Sequence, residues 1–207
     1  MMNIQKIPNQ IIKQPLQYLN LAKVDSIALH HMAHPTADVK TVEGWHINQC
    51  WRAIGYNFWV GFDGTVYEGR GFKLGAGVDN QNGHIISIGF QGDYHSKEVT
   101  MPDAQFNAGV DIIKYVLENV PSVKKIGGHG EFMATACPGK YFPLEEIKTL
   151  KKRNVVEELT TVNDIVWEYH HRGIISNPAL WLQKLEDDKN SYWLARKALH
   201  YIRENEV

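Results

Sequence analysis

Two runs rich in aromatic and β-branched residues, Tyr56-Asn57-Phe58-Trp59-Val60-Gly61-Phe62 and Thr65-Val66-Tyr67-Glu68, flank the pair Asp63-Gly64. No other feature constrains the fold as much. Asp-Gly suits the positive φ of a tight turn, and runs of this composition pair as strands, so a β-hairpin is predicted here. Ser26-Ile27-Ala28-Leu29-His30 reads as a short buried strand ending in His30, and Ile85 to Gln91 reads as a central strand. Val123 to Gly127 is a further short strand candidate.

Helical patterns lie between these strands. Met32 to Lys40 contains Pro35 and reads as loop, and a helix is predicted over Thr41 to Trp51. Thr100-Met101-Pro102-Asp103 carries a helix-start signal, with Thr100 as the expected cap. Phe106, Val110, Ile113 and Leu117 then recur at helical spacing until Pro121 ends the run. Leu144 to Lys152 forms the last predicted helix of this region. Gly69 to Gly83 holds five of the 17 glycines and reads as a long surface loop, a kind of segment that often carries function.

Beyond residue 161 only helical patterns occur. Val162, Ile165, Val166 and Tyr169 form one apolar face, which Gly173 closes. Asn177-Pro178 starts a second helix, and Ala195, Ala198, Leu199 and Ile202 mark a third. The expected organisation is therefore a domain over residues 1–155 and a three-helix unit over 161–207. That unit holds Trp167, Tyr169, Trp181, Tyr192, Trp193 and Tyr201. These aromatics either offer flat apolar faces to the sugar rings of a polysaccharide or fill the unit's own core, with packing on the first domain or on a second copy of the chain as a variant.

The composition, 43% hydrophobic and 22% charged over 207 residues, is that of a soluble globular protein. No apolar run approaches the roughly 18 residues of a membrane span, so no membrane insertion is expected. A net charge of −1 without basic runs argues against a nucleic-acid partner. Met1 to Gln17 is polar and lacks the pattern of a secretory signal, so synthesis in the cytoplasm is expected. In that compartment Cys50 and Cys137 are expected as free thiols or as metal ligands rather than as a disulfide. Cys50 is expected to be a small buried hydrophobe.

The chemistry concentrates in His129-x7-Cys137-Pro138-Gly139. Imidazole and thiolate both suit zinc, although a His and a Cys eight apart are a weak signal alone. His30, at the end of a buried strand, is the natural third ligand. Three protein ligands leave a position open for water, the pattern of a catalytic zinc.

With these residues in view, the chain resembles the zinc amidase family that joins bacteriophage lysozyme-type amidases with peptidoglycan recognition proteins. The matching stretches are Ile27-Ala28-Leu29-His30-His31-Met32-Ala33, Gly55-Tyr56-Asn57-Phe58, Asp63 to Arg70, Ser87-Ile88-Gly89, and His129 to Gly139. They occur in the family's order over roughly residues 25–150. The resemblance implies an α/β fold, with a central mixed β-sheet flanked by helices and a zinc site in an open groove. It puts His30, His129 and Cys137 on zinc and makes Tyr56 catalytic. Thr135 falls where the phage enzymes tend to have lysine and the catalytic recognition proteins threonine, and its hydroxyl can donate to an oxyanion. Family members often carry histidine in the Gly-Ala-x segment. Here that position is Gly77, a departure that bears on substrate contacts of the glycine-rich loop.

The implied activity is zinc-dependent hydrolysis of the amide between N-acetylmuramoyl and L-alanine in bacterial peptidoglycan. A phage-type lysin would act on the wall after release, with a membrane-permeabilising partner. Two alternatives stand beside it: a non-catalytic peptidoglycan-binding module, and a cytosolic amidase that recycles muropeptides. Non-catalytic recognition proteins commonly lose the zinc cysteine, so Cys137 favours the enzyme. His31 is the rival of His30 for the metal. Alternation along a strand lets only one of the two reach it, and the resemblance favours His30. His46 and His84 are expected at the surface or beside substrate, and His170 and His171 on a solvated helix face.

Overall fold

The computed structural model describes residues 3–153 and, beyond them, only Val166, Tyr169, His170, Gly173, Ile175, Ser176 and Trp181. The chain divides into two compact units, residues 1–153 and 154–207. The second and third helices expected after residue 176 lie outside the described residues, apart from Trp181. In the first, Val166, Tyr169 and His170 are helical. Gly173, at φ 68°, donates its N–H to His170 O at 3.0 Å, as a helix-closing glycine does.

A six-stranded mixed sheet organises the first unit. Its strands are β1 (Ile4–Lys6), β2 (Ser26–His31), β3 (Phe58–Val60), β4 (Val66–Glu68), β5 (Ile85–Phe90) and β6 (Lys125–Gly128), in the order β1-β4-β3-β5-β2-β6. Only β3 and β4 run antiparallel. They form the predicted hairpin, but across five residues rather than two. Gly61 N–H donates to Thr65 O at 2.9 Å, and Gly64 takes φ 80° where Asp63 Oδ1 receives Thr65 N–H. β5 is central, as expected. It pairs β2 with Ala28 opposite Ser87 and His30 opposite Gly89.

The helices are α1 (Val39–Asn48), α2 (Asp103–Asn119) and α3 (Leu144–Lys148). Each departs from its expected bounds for a local reason. α1 starts two residues early because Asp38 caps it, accepting Thr41 N–H at 2.8 Å. It ends at Asn48, and Cys50 follows in the left-handed region at φ 61°. Cys50 is exposed, not a buried hydrophobe, and both cysteines are free thiols. α2 is entered through Pro102, with no side-chain cap, so Thr100 does not play that part. α3 is one short turn, and the chain leaves it through Leu150 at φ 57°.

The two central strands are buried on both sides, as interior parallel strands are. Their faces differ. Ile27 and Leu29 of β2 and Ile86, Ile88 and Phe90 of β5 join the large core with Phe106, Val110, Ile112, Ile113 and Val116 of α2. Gly109 allows this close approach, since a Cβ there would meet the Phe90 ring at 2.6 Å. Gln105 ties α2 to the sheet, donating to Val60 O and Gln91 O and receiving Tyr94 Oη–H. The opposite face carries Ala28, His30, Ser87 and Gly89, which are small or polar. A second cluster of Met32, Val39, Val42, Ile54 and Trp59 packs α1 onto this side. Among the described residues no helix is long and apolar enough to cross a membrane.

Candidate metal and active site

His30 is the penultimate residue of β2 and is almost fully buried, at 1% exposure. His129 follows β6 directly, in a 3-10 turn over His129–Glu131. Glu131 pins that turn by receiving Gly128 N–H at 3.0 Å, and Lys148 Nζ holds the Glu131 carboxylate at 2.9 Å. Cys137 lies on the loop between this turn and α3. Gly130 N–H donates to Cys137 O at 2.7 Å, closing that loop on itself. Gly139, at φ 97°, rests against the Tyr94 carbonyl so closely that a Cβ would overlap it. The Cys137–Pro138 peptide is cis.

These three side chains converge. One ligand atom from each of His30, His129 and Cys137 lies within 4.8 Å of the others. Cys137 Sγ is 3.9 Å from His30 Nδ1, close to the spacing of two ligands on one tetrahedral zinc with bonds of about 2.3 and 2.0 Å. The His30 and His129 rings stand 4.4 Å apart. Burial lowers the pKa of both imidazoles, so both are neutral and have a lone pair to offer. Burial pushes the Cys137 thiol up to about 11, a penalty that a cation bound at the thiolate reverses. Two neutral imidazoles and one sulfur, half shielded from water, fit a zinc ion.

Tyr56 sits just before β3, its ring 5.2 Å from His30. Gly89 makes the room: a Cβ there would press on the Tyr56 ring at 2.9 Å. The neighbouring backbone is clamped from both sides. Asn57 receives Ser87 N–H and donates to Gly71 O and Lys73 O. Arg70 donates to Ile54 O, Ala53 O and Leu74 O. Burial raises the Tyr56 pKa, so the hydroxyl keeps its proton and remains a donor. Thr135 is exposed on the cysteine loop, and its Oγ1 receives Cys137 N–H at 3.3 Å, which leaves its own O–H free to donate. A cavity of about 370 Å³ flanks the cluster, lined by His95, Glu131, Thr135, Cys137 and Lys140.

The remaining histidines separate clearly. His31 is buried and its Nδ1 receives Tyr94 N–H at 3.0 Å, so it braces the loop after β5. His46 stacks on Trp51 at 4.5 Å and meets Tyr56 edge-on at 5.5 Å, beside the site. His84 pairs with Asp25 at the opposite end of the strands. Sequence reasoning assigned no role to Asn57, Arg70 or Ser87. Apart from Leu74, four residues from Arg70, their partners lie 14 to 30 residues away in the chain, beyond any local pattern.

The model of the Amidase_2 family, described as N-acetylmuramoyl-L-alanine amidase, matches residues 20–140, and the chain belongs to that family. Peptidoglycan-recognition protein SC2 of Drosophila simulans is 33% identical over 129 residues, covering 59% of this chain and 69% of its own length. Among solved structures, the endolysin N-acetylmuramoyl-L-alanine amidase LysCS from Clostridium intestinale aligns with a TM-score of 0.64 at 26% identity, over 72% of this chain and 95% of that one. A point mutant of Drosophila PGRP-LB in complex with tracheal cytotoxin aligns with a TM-score of 0.56 at 25% identity, over 68% of this chain and 88% of that one. Membership supports amidase action on peptidoglycan or binding to it.

Proposed function

We propose that the chain is a zinc-dependent N-acetylmuramoyl-L-alanine amidase that cleaves the bond between the muramoyl lactyl group and the first residue of the stem peptide. The observation that carries this reading is the convergence of His30, His129 and Cys137, with Tyr56 beside them. The three residues would hold zinc through imidazole nitrogen and thiolate. Zinc held there supplies Lewis acidity toward the scissile carbonyl and lowers the pKa of water toward about 7. Tyr56 donates its protonated hydroxyl to the oxyanion that develops on the attacked carbonyl, and Thr135 donates from the exposed side. The burial of His30 excludes bulk water from one side of the cluster, which strengthens both contacts.

The likeness to a clostridial endolysin over nearly its whole length favours a lytic role over muropeptide recycling. In that role the enzyme meets the wall after release from the cytoplasm. The retained Cys137 favours catalysis over binding alone. Digestion of purified walls with and without a chelator tests the activity. New alanine amino groups, identified by mass spectrometry and abolished by the chelator, are the expected result. New reducing sugar ends, or binding without cleavage, would refute it.

Residues 161–207 are proposed as a wall-binding unit. A chain ending after Arg153 keeps the clamp that Arg153 forms with Glu146, Asp103 and Asn107. It should still cut soluble muropeptides but sediment poorly with intact walls. Equal sedimentation of the two forms would assign the unit to packing or self-association.

A further inference from the structure

Ser87 and His30 project from adjacent parallel strands onto the same face of the sheet, Ser87 two residues before Gly89, which lies opposite His30. Ser87 Oγ and His30 Nε2 are both enclosed, and neither has a hydrogen-bond partner among the described residues. Buried polar groups are rarely left so, because an unpaired one keeps the cost of leaving water. The two atoms border the same small gap. A Cβ on Gly77 would overlap Ser87 Oγ and fall 3.3 Å from His30 Nε2. Glycine at 77 therefore leaves open the space between hydroxyl and imidazole that any other residue would fill. The other ring nitrogen, Nδ1, is the one that faces Cys137 Sγ.

We propose that Ser87 is a positioning residue for His30: its hydroxyl accepts the Nε2–H, directly or through one water molecule, and so leaves Nδ1 unprotonated toward the metal. The inference rests on the metal reading of the preceding section. A neutral imidazole carries one proton on one of two nitrogens, and the acceptor offered to one nitrogen decides which lone pair is free for a metal. Partners of this kind orient the ring and typically contribute 10- to 100-fold in metal affinity. Ser87 is well placed for the task because its own backbone is fixed by Asn57, which receives Ser87 N–H at 2.9 Å and donates its own N–H to Ser87 O at 2.9 Å. Removing the hydroxyl leaves both of those bonds in place.

The test uses the full chain and its Ser87→Ala and Gly77→Ala variants. Zinc affinity is read by competition with a chromophoric chelator, and the His30 tautomer by ¹⁵N NMR of the metal-free protein, assigned with His30→Gln. The expected wild-type tautomer carries its proton on Nε2. Ser87→Ala should lose that preference and bind zinc 10- to 100-fold more weakly, with an unchanged metal-free melting temperature. Gly77→Ala, which crowds the gap while keeping the hydroxyl, should weaken zinc as well. Wild-type tautomer and zinc affinity within twofold in Ser87→Ala would overturn the proposal. A wild-type chain with no zinc affinity would instead refute the metal reading, and the tautomer measurement would still decide whether Ser87 holds His30.

Discussion

The two faces of the central strands β2 and β5 divide twelve residues between them, six to a face, and do opposite things. One face presents Ile27, Leu29, Ile86, Ile88 and Phe90 to α2, all with essentially no exposure. The other presents Ala28, His30, Ser87 and Gly89 toward Tyr56, Gly77 and the cysteine loop. The first face is large and apolar and makes the sheet stable. The second, apart from Ile85, is small or polar, and its small side chains are what allow a tyrosine ring and a glycine loop to come down beside a buried histidine. Folding and chemistry thus alternate with the two-residue period of the strand. Substitutions on one face should move stability, and those on the other zinc and turnover.

The largest effect is expected at the metal. Cys137→Ser replaces a thiolate with a neutral hydroxyl, a far poorer zinc ligand. It should abolish turnover and most zinc binding, read as metal content after dialysis and as amide cleavage of purified walls. Metal-free stability should change by less than about 1 kcal/mol, since no core contact is lost. A variant with stoichiometric zinc and near-normal turnover would sink the assigned site.

Next comes Tyr56→Phe. The ring still packs on Gly89, and only the hydroxyl goes. Zinc content should be unchanged, while turnover falls on the order of 100-fold or more, the usual cost of one oxyanion donor. A loss of only about twofold would make Tyr56 a packing residue.

The opposite face gives the converse. Ile88 is fully buried in the large core, beside Leu29 and Phe58 in the sheet. Ile88→Ala should cost about 2–5 kcal/mol in denaturant unfolding. Where the variant is still folded, zinc affinity should stay within about threefold of wild type, less than half of the 1.4 kcal/mol that a tenfold change represents. Zinc lost in proportion to stability would show that the two faces are not separable.

Much of this division could be read from the chain, and the misses share a cause. The hairpin around Asp63-Gly64, the central strand at 85–91 and the helical spacing of Phe106, Val110 and Ile113 are local patterns, and each appears in the structure. So does the cluster of His30, His129 and Cys137, because each residue stands at a strand end or in a glycine-bounded loop. β1 has only three residues and two of them are exposed, so it carries no periodic signal, and only its pairing with β4 makes it a strand. The early start of α1 depends on Asp38, hidden behind the loop signal of Pro35. Cys50 is a hydrophobe by type, but a helix exit at φ 61° puts it in water. Gly77 stood out only as a departure from the family's histidine, with a bearing on substrate contacts and none on His30. Its closeness to His30 is set by the sheet, which local sequence does not encode.

The smallest expected effect tests whether the polar face carries a cost in acid. His46 borders Tyr56, and its Nδ1 receives Gly55 N–H at 3.1 Å, a bond that protonation of Nδ1 would break. Burial first, then the charge of Arg70, push its pKa from 6.5 to about 4. The unfolded chain therefore binds more protons than the native one between those values, and stability rises with pH across that window. The contribution is fully present above pH 6.5 and lost as pH falls through about 4. Burial shifts His30, His31 and His129 the same way, so the metal-free protein should weaken steadily on acidification. Denaturant unfolding at pH 7.5 and 4.5 measures the slope. His46→Asn keeps an acceptor for Gly55 N–H and removes the titrating ring. It should flatten the slope by on the order of 1 kcal/mol, a value discounted from the full shift because the ring is partly exposed. An unchanged slope would assign the acid sensitivity to His30 and His129, on the side of the sheet that carries the chemistry, and to His31 on the side that does not.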